Sequence, residues 1–198
     1  MARLRSPVSF RTGLSLVFLL ILITGCKGDK PWTGWYSPGD SVDNVGYKPD
    51  QPIPFDHNLH TSKMKIDCHY CHAGARRSIT SGVPPTNTCM GCHKFAKTDS
   101  PHIKLLTDKY EANEPIEWTK VHDMPDFVRF THKRHVGALE EILGKDGKKV
   151  ESKEVCKTCH GDVDQMDTVE QVAPLQMGWC VDCHIQNDAN ISCQTCHY

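Results

Sequence analysis

The chain has 198 residues, of which 11 are Cys and 12 are His, with 8% aromatics and a formal net charge of -1. One ordinary domain is the expectation from length, and a balance so close to neutral gives no sign of a nucleic-acid partner. Beyond residue 25 only 30 of 173 residues, about 17%, are Leu, Ile, Val or Phe, below the roughly 20% at which a chain struggles to close a core. The sequence is neither highly charged nor of low complexity, so disorder does not follow. Disulfides or metal centres are the usual substitutes for a missing apolar interior.

Arg3, Arg5 and Arg11, with no acid among them, precede an apolar run from Leu14 to Thr24, the layout of a secretory signal over residues 1–25. The run has 11 residues, against roughly 20 for a bilayer-spanning helix. The string Leu22-Ile23-Thr24-Gly25-Cys26 resembles the lipobox of bacterial lipoproteins, where cleavage leaves the Cys free for acylation. Cys26 is therefore the expected lipidation site, the alternatives being a free thiol or an uncleaved anchor. Acyl chains there would hold the protein at a membrane surface. Residues 26–50, rich in Gly, Pro, Asp and Ser with Trp32, Trp35 and Tyr36, read as an extended tether.

The other ten cysteines form five C-x-x-C pairs, each followed at once by His: Cys68/Cys71/His72, Cys89/Cys92/His93, Cys156/Cys159/His160, Cys180/Cys183/His184 and Cys193/Cys196/His197. This is the attachment signature of c-type haem, with two thiols for the porphyrin edge and a proximal His for the iron. Chance placement of His behind all five pairs has a probability on the order of one in a million. A zinc ribbon needs no His in that register, and C-x-x-C disulfides close loops too small to constrain the unfolded chain much. Five covalent haems are expected, and they supply the core. Such attachment implies an extracytoplasmic protein, in agreement with the signal.

An iron that only carries electrons needs a second axial ligand. Seven His lie outside the proximal positions, and four of them repeat a pattern. Phe55-Asp56-His57-Asn58-Leu59-His60 and Phe130-Thr131-His132-Lys133-Arg134-His135 share F-x-H-x-x-H, and on a helix positions i and i+3 lie on one side. The chain reads as a duplication. Residues 51–102 hold two haem motifs, 103–125 connect, and 126–198 hold three. F-x-H-x-x-H ahead of C-x-x-C-H motifs resembles the class III cytochromes c, the small c3 and c7 proteins. That resemblance implies that His57, His60, His132 and His135 are distal ligands to different haems. The fifth distal position falls to His122 or to Met177, whose thioether would raise that haem's potential. His69, between the cysteines of its own motif, and His102, after Ser100-Pro101, read as surface residues, and Met90 has the same placement as His69.

Between motifs, residues 103–121 and 136–143 are each expected to form a short helix, and Lys145-Asp146-Gly147-Lys148-Lys149 a solvated turn. The expected fold is mostly α and irregular, a haem-cored, duplicated, class III-like multihaem cytochrome c with little β.

The wider arrangement resembles the pentahaem cytochrome c subunit of alternative complex III, a bacterial quinol-oxidising complex. The strings that carry the likeness are Pro54-Phe55-Asp56-His57 with His60, Ile66-Asp67-Cys68, Gly82-Val83-Pro84-Pro85-Thr86 running into Cys89, Val121-His122 to Phe130, and Ala173 to Cys180. The quinone reductase complex of sulfate reducers has a related subunit expected to carry six haems, against five attachment motifs here. The resemblance implies a subunit that conducts electrons, without being an enzyme by itself. It sits at the periplasmic face beside iron-sulfur and integral-membrane subunits and exchanges electrons with an acceptor such as a small cytochrome c. A free-standing lipid-anchored carrier and a multihaem reductase are the competing classes. All five motifs end in His, which disfavours the reductase and its open iron.

Overall fold

The structure, a computed structural model, describes residues 44–198. The signal segment, Cys26 and the tether before residue 44 lie outside the described residues. Short helices joined by irregular chain make up the rest, and each helix is set by a local signal.

Asp56 accepts a hydrogen bond from the Leu59 amide at 2.8 Å and opens a π-helical turn over Asn58–Lys63. The Asp67 side chain caps α1 (Cys68–Cys71) by accepting from the His69 amide, a standard use of an N-cap carboxylate. Extended Pro85 delivers the chain into α2 (Thr86–His93). Pro101 starts α3 (Pro101–Glu111), where its missing amide costs nothing.

The sequence predicts that this helix continues to residue 121, and it stops ten residues earlier. Asn113 takes a left-handed φ of 54°, and Glu114 precedes Pro115, a placement that disfavours helix. The second short helix begins earlier than expected, at the histidine pair itself, and forms α4 (His132–Leu143).

The chain continues through α5 (Ser152–His160), a 3-10 turn at Val163–Gln165, α6 (Met177–Gln186) and α7 (Cys193–Cys196). Gly161 ends α5 with φ 69°, and a Cβ there would meet Val172 Cγ2 at 2.7 Å. Both facts call for glycine. Extended pairing is slight. Val128 and His197 form an isolated antiparallel bridge, and Gly46 and Tyr47 exchange backbone hydrogen bonds with Gln171 at 2.8 and 3.0 Å.

Seven apolar residues are buried among the described ones, in small clusters. Ile53, Met90 and Leu106 form one, covered by Ile103, Tyr110, Ile116 and Trp118. Ala75, Val136 and Val155 form another. Seven buried apolar side chains in 155 described positions do not fill an interior, and most of the motif cysteines and histidines line what is left.

The stretches on either side of residue 103 are stitched together. Ile79 and Ser78 carbonyls accept from the His132 and Lys133 amides at 3.0 and 3.1 Å, and the Ser62 hydroxyl donates to the Asp164 carbonyl at 2.6 Å. An Arg76–Glu140 ion pair joins the first loop to α4. Among the described residues no helix is long and apolar enough to cross a membrane.

Candidate haem-binding sites

All five C-x-x-C pairs lie within helices, on α1, α2, α5, α6 and α7. A helical turn brings residues i and i+3 to one side, so each motif presents two thiols together with its His directly after them. No disulfide joins any of these ten cysteines.

The histidine rings are held by their Nδ1 atoms. His72 Nδ1 lies 2.6 Å from the Gly82 carbonyl, His93 Nδ1 3.0 Å from Ala96, and His184 Nδ1 2.8 Å from Asn190. Among the F-x-H-x-x-H residues, His60 Nδ1 faces the Asp56 carbonyl at 2.7 Å, His132 that of Ile79 at 2.9 Å, and His135 that of Thr131 at 2.9 Å. A carbonyl only accepts, so in each case Nδ1 carries the proton and donates. Nε2 is left with its lone pair for a metal. Gly82 has φ 75°, which turns its carbonyl toward His72 at a position where a side chain would be strained.

The rings then meet in pairs. His60 and His93 centroids are 6.2 Å apart, His132 and His160 6.3 Å, and His135 and His184 6.1 Å. Two imidazole–metal bonds of about 2 Å each, with about 1.1 Å from ring nitrogen to ring centre, put axial partners about 6 Å apart. Three pairs of rings at the spacing of one intervening iron, five of the six rings with Nδ1 tied to a carbonyl, fit haem ligation. His57 neighbours His72, and the His72 ring contributes to lowering its affinity for protons.

Both copies of the repeat use their Phe alike. Phe55 stacks on His60 (4.4 Å, 21°) and meets His57 edge-on (4.7 Å, 81°). Phe130 stacks on His135 (4.3 Å, 24°) and meets His132 edge-on (4.9 Å, 88°). One benzene ring thus orients two imidazoles, a role absent from the residue-type reading of the motif though its repeated spacing within the chain was visible.

Burial, assisted by neighbouring His72 and His60, pushes His57 down to about 4. Burial and His122 push His160 down to about 3. Burial also lowers His122 and His135. Rings kept neutral in this way are the form that binds metal.

The cysteines define which motifs are neighbours. A hydrogen bond between the Cys68 and Cys156 thiols pushes Cys156 up and draws Cys68 down. After burial, Cys89 raises Cys71; Cys183 and Cys180 raise Cys159; and Cys196 raises Cys180. Counting motifs in chain order, the second adjoins the first, the first the third, the third the fourth, and the fourth the fifth.

The ten motif cysteines are not equally covered. Cys92 on α2 and Cys193 on α7 are exposed, whereas the other eight are partly covered. The physical reason lies in that order of neighbours. Cys92 belongs to the second motif and Cys193 to the fifth, the two ends of that series. The partner thiol in each pair, Cys89 or Cys196, is the partly covered one. Cys89 packs against the Ile53, Met90 and Leu106 cluster, and Cys196 accepts a backbone hydrogen bond from the Arg129 amide at 2.7 Å. The C-x-x-C-H spacing, identical in all five motifs, carries no sign of this difference.

His122 meets a motif histidine directly: its Nε2 is 3.3 Å from Nδ1 of His160, with the ring edge-on at 4.4 Å and 83°. His160 is the ring that His132 already faces. For His197 the close aromatic neighbour is Phe127 at 5.9 Å. Met177 is exposed at the start of α6, one turn before Cys180. His102 is exposed on α3, as expected of a surface residue.

His69 departs from that expectation. The His69 side chain is only 16% exposed, because the Asp67 cap turns its Nδ1 toward Ser152 of α5 at 2.9 Å. Met90, 3% exposed, is a core residue. A local motif carries no sign of either, since each depends on a neighbour distant in sequence.

A mostly helical and irregular chain wrapped around repeated haem-attachment motifs is the fold of a multihaem cytochrome c. No family model matches the chain. It is 25% identical over 166 residues to the multihaem cytochrome c subunit of menaquinone reductase from Nitratidesulfovibrio vulgaris, a match covering 75% of this chain and 77% of that protein.

Proposed function

We propose that the protein is an extracytoplasmic pentahaem cytochrome that carries electrons within a membrane quinol/quinone oxidoreductase complex. The three ring pairs at 6.1–6.3 Å, each with at least one Nδ1 tied to a carbonyl, are the observation that carries this reading. Bound haem supplies one-electron chemistry. The chain's part is to fix ring orientation, keep the histidines neutral and hold water off the inner attachment sites.

Ligands follow from these neighbours. His57 and His72, His60 and His93, His132 and His160, and His135 and His184 serve as four axial pairs. Met177 is the better partner for His197, because it lies one helical turn before Cys180, which neighbours Cys196. The order of motif neighbours supports a single file of haems, second, first, third, fourth, fifth. Electrons enter at one end and leave at the other. The exposed Cys92 and Cys193 fall at those two ends. The carrier is not an enzyme alone. Its partners are iron-sulfur and integral-membrane subunits, with a small cytochrome c as an external acceptor. Acylation at Cys26 holds it to the periplasmic face.

Two complexes fit this role. Five attachment motifs favour the alternative complex III type, and the likeness to the N. vulgaris subunit favours a menaquinone reductase. Purification from native membranes in mild detergent tests the proposal. The chain should carry five haems by intact mass, copurify with iron-sulfur and integral-membrane subunits, and exchange electrons with a quinone pool through them. Isolation alone, with no integral-membrane partner, would favour the free-standing carrier.

A further inference from the structure

The motif histidines are not all held alike. His72, His93 and His184 donate their Nδ1 protons to main-chain carbonyls at 2.6, 3.0 and 2.8 Å. His160 instead directs Nδ1 at another imidazole, Nε2 of His122, at 3.3 Å. We propose that His122 is a positioning residue, the hydrogen-bond acceptor for His160, and that it sets the potential of the third-motif haem without touching iron. The inference rests on the ligation read above, in which His160 and His132 are the axial pair.

Geometry separates this role from axial ligation. His132 lies 6.3 Å from His160, the same spacing as the other two ring pairs at 6.2 and 6.1 Å. His122 meets the same ring edge-on at 4.4 Å, on the nitrogen that iron does not use. Its loop is pinned by the Lys120–Asp123 ion pair at 3.1 Å and by the Val128 amide donating to the Pro125 carbonyl at 2.9 Å. An acceptor on Nδ1–H makes a metal-bound imidazole more electron-donating, which stabilises the ferric state and lowers the potential. His122 is absent from the side-chain partners of the other motif histidines given above, so its effect falls on one haem.

The test uses the holoprotein with His122→Phe, which keeps a ring and removes the acceptor, and His122→Gln, which restores an acceptor oxygen. In a spectroscopic redox titration, His122→Phe should raise one haem's potential, by about tenfold in its reduction equilibrium or 59 mV for one electron. His122→Gln should fall between it and the unmutated protein, and all haems in both should stay low-spin. An unmoved set of potentials, or equal shifts at several haems, overturns the proposal, and so does a newly high-spin haem, which would make His122 an iron ligand. The unmutated protein provides an independent check. Reduced and diamagnetic, with 15N-labelled histidines, it should show scalar coupling across one imidazole–imidazole hydrogen bond; absence of that coupling in a five-haem protein overturns this inference alone. Absence of the third-motif haem itself overturns the ligation reading along with it.

Discussion

Phe130→Ala probes how one aromatic ring serves two irons. Phe130 stacks on His135 at 4.3 Å and meets His132 edge-on at 4.9 Å. Each such aromatic pair contributes about 0.5–1.5 kcal/mol beyond simple burial, so removing the ring withdraws about 1–3 kcal/mol from the ligated arrangement. Each distal imidazole loses one such pair, so with tenfold for every 1.4 kcal/mol the fraction of time it is off its iron should rise roughly 2- to 12-fold.

Carbon monoxide binds a reduced haem only when that position opens. Flash or stopped-flow mixing should therefore show faster uptake at two haems per chain, those closed by His132 and His135, with the other three unchanged. Phe130→Leu keeps apolar bulk without the ring and should give a smaller acceleration. Phe55→Ala should transfer the effect to the haems of the first and second motifs. Unchanged kinetics in Phe130→Ala, or equal acceleration at all five haems, would refute the reasoning.

His57→Ala, His60→Ala, His132→Ala and His135→Ala should each convert one haem to high spin, while His102→Ala, on an exposed face, converts none; resonance spectroscopy reads the difference. Gly161→Ala combines a left-handed φ with a 2.7 Å approach to Val172 and should lower stability by about 1–3 kcal/mol, seen as an earlier denaturant midpoint, whereas an unshifted midpoint would show that the turn can relax. Unfolded histidine takes up its proton near 6.5, and buried His57 only near 4. The unfolded chain thus binds more protons in that window, and stability is full above it and lost as pH falls through it; iron on Nε2 acts in the same direction. Equal denaturant midpoints at pH 7 and pH 4.5 would contradict this. Cys26→Ser should release the protein from membranes once partner subunits are removed, and continued tight retention after normal processing would rule out a lipid anchor.

The C-x-x-C-H strings that the structure places on helices were legible because each is complete within five residues. The duplicated F-x-H-x-x-H elements were legible for the same reason. The helix expected through residue 121 was misjudged at its end, where Asn113 and the Glu114-Pro115 step override helical propensity. Partnerships across long separations were not legible. Nothing local says that Cys68 lies against Cys156, that Cys92 is left exposed while Cys89 is covered, that Asp67 turns His69 toward Ser152, or that His122 reaches the unused nitrogen of His160. Such contacts exist only once distant parts of the chain have folded together.

The proposed axial pairing has a direction along the chain. His57 and His60 precede the first two motifs, His132 and His135 precede the third and fourth, and Met177 precedes the fifth. A polypeptide is made and delivered from its N-terminus, so the residue that closes each iron emerges before the cysteines that capture the haem. On this pairing no newly attached iron waits with an open coordination site for a ligand still to be synthesised. An iron left open in that way would be exposed to oxygen during maturation. Moving an F-x-H-x-x-H element to the C-terminal side of its motifs would leave the finished ligand set unchanged on paper and lengthen that vulnerable interval.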